Sequence, residues 1–218
     1  MKKRYDLIIF DLDGTLYNSY YSITKSFQYV VREMCGIDES DLEVFRPFIG
    51  PPLVDSLASY GIEGDELIKA AELYREHYKT TLDETVLYDG MKELLVELKT
   101  SGFKLAIASS KLIHVIRAIV ERDDIVGLFD VVEGLGDYRN KETKAAVIAR
   151  TLDNFENQRR ASAVMVGDRL YDAAGAKEAG VDFIAAGYGP GFREEFEPYP
   201  MVHYAESVKD LRDYLVGP

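Results

Sequence analysis

Cysteine and long apolar runs are scarce in this sequence, and their scarcity excludes several classes of protein. Cys35 is the only cysteine, so the chain can form neither an internal disulfide nor a cluster of thiolate metal ligands. No run approaches the roughly 20 apolar residues of a membrane-spanning helix. The apolar stretch behind the N-terminal Met-Lys-Lys-Arg ends at Asp11 and is too short for a signal peptide. We therefore expect a soluble, cytoplasmic protein.

Positive charge is also in short supply. The chain has 26 Lys and Arg against 38 Asp and Glu, which gives a net charge of −12, and the acidic residues are spread along its length. Such a chain has no basic patch for nucleic acid or for an anionic membrane. It can bind a phosphorylated ligand only in a pocket that carries its own positive groups. With 218 residues, of which 47% are hydrophobic, the chain is long enough for one domain, or for a domain with a smaller insert.

Short apolar runs alternate with helical patterns along most of the chain. This alternation is typical of an α/β protein in which helices cover both faces of a parallel sheet. Ligands of such sheets bind at the carboxyl ends of the strands. The predicted strands are Leu7–Phe10, Phe103–Ser109, Phe129–Gly134, Ser162–Asp168 and Asp182–Gly189.

One interval breaks the alternation. Residues 17–86 show helical patterns but no convincing strand, and the interval is far too long for an ordinary connection between strands. We interpret it as a helical insert that caps the end of the first strand. The predicted organisation is a Rossmann-like core of residues 1–16 and 87–218, with an α-helical cap formed by residues 17–86.

Gly187–Gly191 reads Gly-Tyr-Gly-Pro-Gly and superficially resembles a dinucleotide-binding motif. It lacks the G-x-G-x-x-G spacing, and no further predicted strand follows to complete a βαβ unit. We interpret this segment as a loop.

Polar and charged side chains follow the predicted strands, where an active site is expected. Asp11 and Asp13 end the first strand, and because residues two apart in a strand point to the same side, both carboxylates should leave one face. Each of these like charges raises the cost of ionising the other, so the pair needs a partner. The other candidates at strand ends are Ser109, Lys144, Asp168 and Asp172.

The choice of lysine has an alternative, because Lys141 and Lys144 fall in the same predicted loop. We favour Lys144, since Thr143 is a good helix N-cap residue that would place Lys144 in the first turn of a helix. A cation there opposes the helix dipole, and a residue that breaks a local rule is typical of a functional site.

These clusters together resemble the motifs of the haloacid dehalogenase superfamily. Its D-x-D-G-T motif is matched by residues 11–15, its serine or threonine by Ser109, its lysine by Lys144, and its G-D-x-x-x-D motif by residues 167–172. The helical insert lies where that family carries its small α-helical cap, so the resemblance covers essentially the whole chain. Residues 48–53 (Phe-Ile-Gly-Pro-Pro-Leu) and 167–172 (Gly-Asp-Arg-Leu-Tyr-Asp) resemble the corresponding segments of the phosphoglycolate-phosphatase-like subgroup.

The residue types suit phosphoryl transfer. Asp11, Asp13 and Asp168 form an oxygen-only site suited to Mg²⁺, whose charge would relieve the repulsion between the carboxylates. Asp11 is expected to attack phosphorus and form an aspartyl-phosphate, and Asp13 to act as general acid and then general base. The resemblance implies that Asp13 offers the metal its backbone carbonyl. Ser109 and Lys144 are expected to hold the phosphoryl oxygens, and Asp172 to lie just behind the metal ligands.

The sequence therefore predicts a Mg²⁺-dependent phosphatase that acts on a small phosphorylated metabolite. Phosphoglycolate is the first candidate substrate, with sugar phosphates, nucleotides and pyrophosphate as others. Specificity would come from cap residues, among them Arg46, Pro51, Pro52 and Leu53. A phosphomutase similar to β-phosphoglucomutase would share every core residue. A dehalogenase is disfavoured by Asp13, since halide departure needs no proton donor, and a non-catalytic binding protein has no need of four clustered carboxylates.

Overall fold

A parallel six-stranded sheet forms the centre of the molecule. The computed structural model describes residues 5–137, 142–155 and 162–217. The sheet has the strand order β5-β4-β1-β6-β7-β8, and the two short strands β2 and β3 pair antiparallel outside it. The strands are β1 (Leu7–Phe10), β2 (Tyr17–Asn18), β3 (Val86–Leu87), β4 (Lys104–Leu112), β5 (Val131–Leu135), β6 (Ala163–Gly167), β7 (Asp182–Ala186) and β8 (His203–Ala205).

Helices cover both faces of this sheet. β1 is buried on both sides, with Ile8 and Phe10 in one hydrophobic cluster and Leu7 and Ile9 in the other. Helices α4, α5 and α8 contribute to the first cluster, and α6 and α7 to the second. The predicted α/β fold with a parallel sheet is therefore confirmed. The helices are α1 (Tyr20–Cys35), α2 (Leu53–Ala58), α3 (Gly64–Thr80), α4 (Met91–Thr100), α5 (Ile113–Arg122), α6 (Lys144–Asp153), α7 (Leu170–Ala179) and α8 (Val208–Val216).

Helices α1–α3 lie between β2 and β3 and pack around a hydrophobic cluster of their own. Phe27, Phe45, Leu57 and Tyr74 are among its buried members. Because α1 packs on α3 and on the 3₁₀ segment Leu42–Phe48, this part of the chain buries its apolar side chains largely within itself. None of the helices in the described ranges is long and apolar enough to cross a membrane.

Two predictions about strands were wrong. No strand was predicted after residue 189, yet β8 pairs with β7 in parallel at one edge of the sheet. It is only three residues long and half-exposed, so it leaves no apolar run in the sequence. The interval from Tyr17 to Leu87 does hold strands, because β2 and β3 pair at its two ends. At two residues each, they are too short for a periodic pattern.

Candidate active site

Asp11 and Asp13 lie together at the carboxyl end of β1, the central strand. The Asp11 amide donates to the carbonyl of Val166 at 2.9 Å, which continues the pairing of β1 with β6 by one residue. The chain then turns tightly at Gly14, whose φ of +77° lies in the left-handed region that favours glycine. Both carboxylates are buried. Both lie just beyond Phe10, the last residue of β1, at the edge of the sheet where the sequence predicts them.

Lys144 is the cation that joins Asp11 to Asp172. Its Nζ lies 2.7 Å from Asp11 Oδ1 and 2.9 Å from Asp172 Oδ1, and donates to the carbonyl of Ala108 at 3.0 Å. Thr143 caps α6, since its hydroxyl accepts from the Ala146 amide at 3.2 Å. The cap places Lys144 in the first helical turn, as predicted. The alternative, Lys141, lies outside the described residues.

Asp168 and Asp172 complete the acidic cluster at the end of β6. Asp168 is fully buried, and its Oδ1 accepts from the Thr15 hydroxyl at 3.2 Å. A Cβ added at Gly14 would overlap the Asp168 carboxylate, which explains why the D-x-D-G-T turn needs glycine there. Asp172 Oδ2 accepts from the Arg169 amide at 3.1 Å at the start of α7. Asp172 therefore caps this helix and also contacts Lys144.

Burial dominates the electrostatics of these acids. Loss of solvation raises the pKa of Asp11 to about 6, because the attraction of Lys144 only partly offsets burial and the charges of Asp172 and Asp13. Burial and the neighbouring charges of Asp172 and Asp11 likewise raise the pKa of Asp168 well above its ordinary value. Burial alone would lower the pKa of Lys144, but the carboxylates of Asp11 and Asp172 outweigh it and raise the pKa. Asp11, Asp168 and Asp172 together can carry more negative charge than Lys144 alone neutralises.

The cluster fits a divalent cation. Asp11, Asp168 and Asp172 each place one carboxylate oxygen within 4.8 Å of the others. Within the described part of the chain, the buried atoms Asp168 Oδ2 and Asp13 Oδ1 have no hydrogen-bond partner. Buried carboxylate oxygens without donors are costly unless a cation satisfies them. A hard cation that takes oxygen ligands matches these donors.

Ser109 is buried within β4, beside the same strand ends. Its hydroxyl oxygen lies 3.4 Å from the Lys111 amide that donates to it. Serine is often a helix N-cap residue, but α5 begins four residues later, at Ile113, so Ser109 does not cap that helix. Its hydroxyl, like Asp11, Asp13 and Lys144, lines the cavity at this edge of the sheet.

The sequence places Lys111 with Ser109 and Ser110 at the end of a predicted strand but indicates no role for it. Its Nζ donates to Asp13 Oδ2 at 2.7 Å and lies 4.5 Å from the ring centroid of Tyr78 in α3. Burial would lower the pKa of this lysine, but Asp13, with Tyr78 and Tyr74, raises it instead. The position directly after Ser109-Ser110 was the one available signal, and that signal does not indicate a partner 98 residues away.

A cavity of about 710 Å³ opens above the acidic cluster. The helical segment and the sheet both line it, and Pro51, Pro52 and Leu53 are among the lining residues. Arg46 is not among them, because its Nε donates to the carbonyl of Pro190 at 2.7 Å. Three of the four residues considered for specificity therefore reach the cavity, and Arg46 instead joins the helical segment to a core loop.

The glycine-rich segment Gly187–Gly191 is a loop, as predicted, and it packs against the site. The strand predicted to run to Gly189 is shorter, because β7 ends at Ala186. A Cβ at Gly189 would lie 2.5 Å from Asp168 Cβ, so the loop backbone presses directly on this aspartate. The Tyr188 hydroxyl donates to the Thr15 carbonyl at 3.1 Å. The glycines allow close approach to acidic side chains here, rather than to a dinucleotide.

Comparisons with known proteins agree with this geometry. The family model described as "Haloacid dehalogenase-like hydrolase" matches residues 8–186. A 5'-nucleotidase of Pseudomonas aeruginosa is 35% identical over 97% of this chain and 96% of its own. The tyrosine-protein kinase PtkA of Mycobacterium tuberculosis is 33% identical over 96% of this chain and 72% of its own. The crystal structure of a predicted phosphatase from Clostridium acetobutylicum superposes with a TM-score of 0.88 at 32% identity, covering 98% of this chain and 99% of that one.

Acidic side chains and a buried lysine cluster at the carboxyl edge of a parallel sheet. This fold and site are those of a hydrolase that works by phosphoryl transfer. The chain belongs to the haloacid dehalogenase-like hydrolase family. Within that family it is a phosphatase, a phosphoric monoester hydrolase. The resemblance drawn from the motifs is therefore confirmed.

Proposed function

We propose that the protein is a Mg²⁺-dependent phosphatase that hydrolyses the phosphate monoester of a small metabolite through an aspartyl-phosphate on Asp11. One observation carries the proposal. The Asp11 carboxylate lines the cavity at the end of the central strand, with the Lys144 ammonium 2.7 Å away and the Asp168 carboxylate beside it. This arrangement supports the roles of Asp11 as nucleophile, Lys144 as the positive charge and Asp168 as a metal ligand.

Asp11, Asp168 and the backbone carbonyl of Asp13 are the groups that would hold Mg²⁺. When bound, Mg²⁺ would supply positive charge to the phosphoryl oxygens and offset the repulsion between the carboxylates. Asp172 is the outer member of the cluster, because its oxygens are taken up by Lys144 and by the Arg169 amide. We assign it to the orientation of Lys144.

In the first step, an Asp11 oxygen attacks phosphorus while the bond to the leaving oxygen breaks. Asp13 gives a proton to that oxygen, then takes one from the water that attacks the phosphorylated Asp11 and releases phosphate. Lys144 and the Ser109 hydroxyl hold the phosphoryl oxygens, whose charge must be stabilised during in-line transfer. Asp13 is held in place by Lys111 on one oxygen, which leaves Oδ1 available.

We propose that residues 17–86 form a cap that selects the leaving group and excludes bulk water. Ligand sites of enzymes typically measure about 300–1,000 Å³, and this cavity of about 710 Å³ lies within that range. It is larger than a two-carbon glycolate group needs. It therefore leaves room for sugar phosphates and nucleoside monophosphates as well as for phosphoglycolate.

A panel of phosphorylated metabolites, assayed for phosphate release with Mg²⁺ and with a chelator, tests this proposal. We expect Mg²⁺-dependent release that Asp11→Asn abolishes, because the amide is not a nucleophile. Asp6→Asn is the matched control, since Asp6 is an exposed aspartate just before β1, at its opposite end. Parent-like release by Asp11→Asn would contradict the covalent mechanism. Isomer interconversion without net phosphate release would instead identify a phosphomutase.

A further inference from the structure

Arg169 is a buried arginine between the helical segment and the core. It directly follows Asp168, and only 5% of it is exposed. A buried guanidinium is costly unless its donors are paired. Here its Nε donates to Glu195 Oε2 at 3.0 Å, and its Nη1 donates to the carbonyl of Ile49 and, more weakly at 3.4 Å, to that of Pro47. Arg169 therefore connects a core acid to backbone carbonyls that belong to the helical segment.

The Ile49 region is packed onto the stem of the arginine as well as bonded to its head. Gly50 has a φ of +104°, and a Cβ added there would lie 2.8 Å from Arg169 Cγ. The chain can approach this closely only because Gly50 lacks a side chain. From Gly50 the chain continues into Pro51, Pro52 and Leu53, which line the cavity.

A second arginine makes the reverse connection. Arg46 of the helical segment donates from Nε to the carbonyl of Pro190 at 2.7 Å, and its guanidinium lies 4.3 Å from the ring centroid of Phe192. We call residues 46–53 the docking segment. The docking segment is thus tied to the core at two points, by Arg46 to the loop after β7 and by Arg169 to the loop after β6.

The backbone of Arg169 lies beside the acidic cluster. Its amide donates to Asp172 Oδ2, and Asp168 precedes it in the chain. Gly191 of the same core loop would place a Cβ 3.3 Å from Arg169 Cδ, so this loop packs on the arginine from the core side. One residue therefore has its main chain in the acidic cluster and its side chain under the docking segment.

We propose that Arg169 is a positioning residue that docks residues 46–53 over the acidic cluster, and so sets how Pro51–Leu53 meet the leaving group. The inference rests on the proposed function, because it treats residues 46–53 as a wall of the substrate cavity. Loss of the Arg169 side chain should release the docking segment, while the Arg169 amide can still donate to Asp172. Substrates with a large leaving group would then lose more than a small activated phosphate.

Hydrogen exchange measured by mass spectrometry tests docking without any assay of activity. In Arg169→Ala we expect peptides covering residues 46–54 to exchange at least about tenfold faster, because the segment then opens locally more often. Arg169→Lys keeps a charge for Glu195 but has no planar fork, so it should give a smaller increase. Arg212→Ala is the matched control: Arg212 of α8 donates from Nε to Glu97 of α4 at 2.8 Å, and its loss should leave hydrogen exchange in residues 46–54 unchanged.

Steady-state kinetics provides the second measurement. In Arg169→Ala we expect KM for a nucleoside monophosphate or sugar phosphate to rise about tenfold or more, and kcat/KM for these substrates to fall several-fold more than kcat/KM for p-nitrophenyl phosphate. Unchanged exchange in residues 46–54, or equal loss for all substrates together with faster exchange throughout the core, would overturn the inference. If the parent hydrolyses no phosphate ester, the proposed function fails, while the exchange data still decide whether Arg169 docks the segment.

Discussion

At the scale of single residues, Asp13 is held by a partner that its motif does not reveal. Lys111 occupies one of its carboxylate oxygens, and the other has no donor among the described residues. The ammonium itself is held against Tyr78. A carboxyl group fixed in this way has a defined orientation toward the cavity, as a proton donor to a leaving oxygen requires.

The role of Asp13 is tested by comparing two leaving groups in Asp13→Asn. An aryl phosphate hardly needs an acid, so it should still phosphorylate Asp11 and give a burst of phenol followed by slow turnover. An alkyl phosphate should give no burst, because the general acid typically contributes ~10²–10⁴-fold to that step. Rapid-quench measurements on both substrates separate these outcomes.

Asp11→Asn is the control for that experiment and should show no burst with either substrate. If Asp13→Asn lowered both reactions equally and no phosphorylated enzyme accumulated, Asp13 would instead act as a metal-site or structural residue.

At the scale of elements, the carboxyl ends of β1, β4 and β6 bring together groups that the chain keeps far apart. Asp11, Ser109 and Asp168 each lie at the end of, or late in, a different strand. β1 pairs with both of the other strands in parallel, so these ends share one edge. The helical segment also contributes to the site, because the chain after Gly50 lines the same cavity.

Leu53, at the start of α2, provides a test of that wall. Leu53→Ala should change the order of kcat/KM among nucleotides and sugar phosphates more than it changes hydrolysis of p-nitrophenyl phosphate, because p-nitrophenolate is a good leaving group whose departure depends little on contacts with the wall. Val44→Ala is the control, since Val44 is exposed in the 3₁₀ segment and does not line the cavity. An equal loss for every substrate in Leu53→Ala would indicate a structural role.

At the scale of the whole molecule, the acidic cluster makes stability depend on pH and on cations. The folded protein raises the pKa of Asp11 from 3.8 to about 6, so the folded state binds this proton more tightly than the unfolded state does. The contribution of Asp11 to stability is therefore fully present below pH 4 and is lost as pH rises through 6. Burial of unneutralised charge is the physical cause.

Urea unfolding of the metal-free protein between pH 4 and pH 7.5 measures this effect. As pH rises through this window, we expect the free energy of unfolding of Asp11→Asn to increase relative to that of the parent by up to about 2–3 kcal/mol. A shift of one pKa unit corresponds to about 1.4 kcal/mol. Asp6→Asn, a change at an exposed aspartate outside the cluster, is the matched control. Mg²⁺ should stabilise the parent at pH 7.5, since it binds only the folded cluster. Parallel pH profiles for the parent and Asp11→Asn would contradict this account.

Local patterns in the sequence determined much of the fold and of the site. A four-residue apolar run followed by two aspartates predicts a buried strand that delivers both carboxylates to one edge, and Asp11 and Asp13 lie there. Thr143 predicts the start of α6 and therefore the position of Lys144. These predictions succeed because strand period and helix capping depend on neighbours a few residues away.

Only the tertiary structure decided the contacts between distant segments. The pairing of Lys111 with Asp13 spans 98 residues, and the bond from Arg169 to Ile49 spans 120. No periodicity connects such positions, because which strands become neighbours and where the helical segment packs depend on the whole chain. The edge strand β8 escaped prediction for the same reason, since its three residues are ordered by pairing with β7 and not by a pattern of their own. Chemistry at a strand end is thus visible in the sequence, whereas the partners that orient it are set by packing.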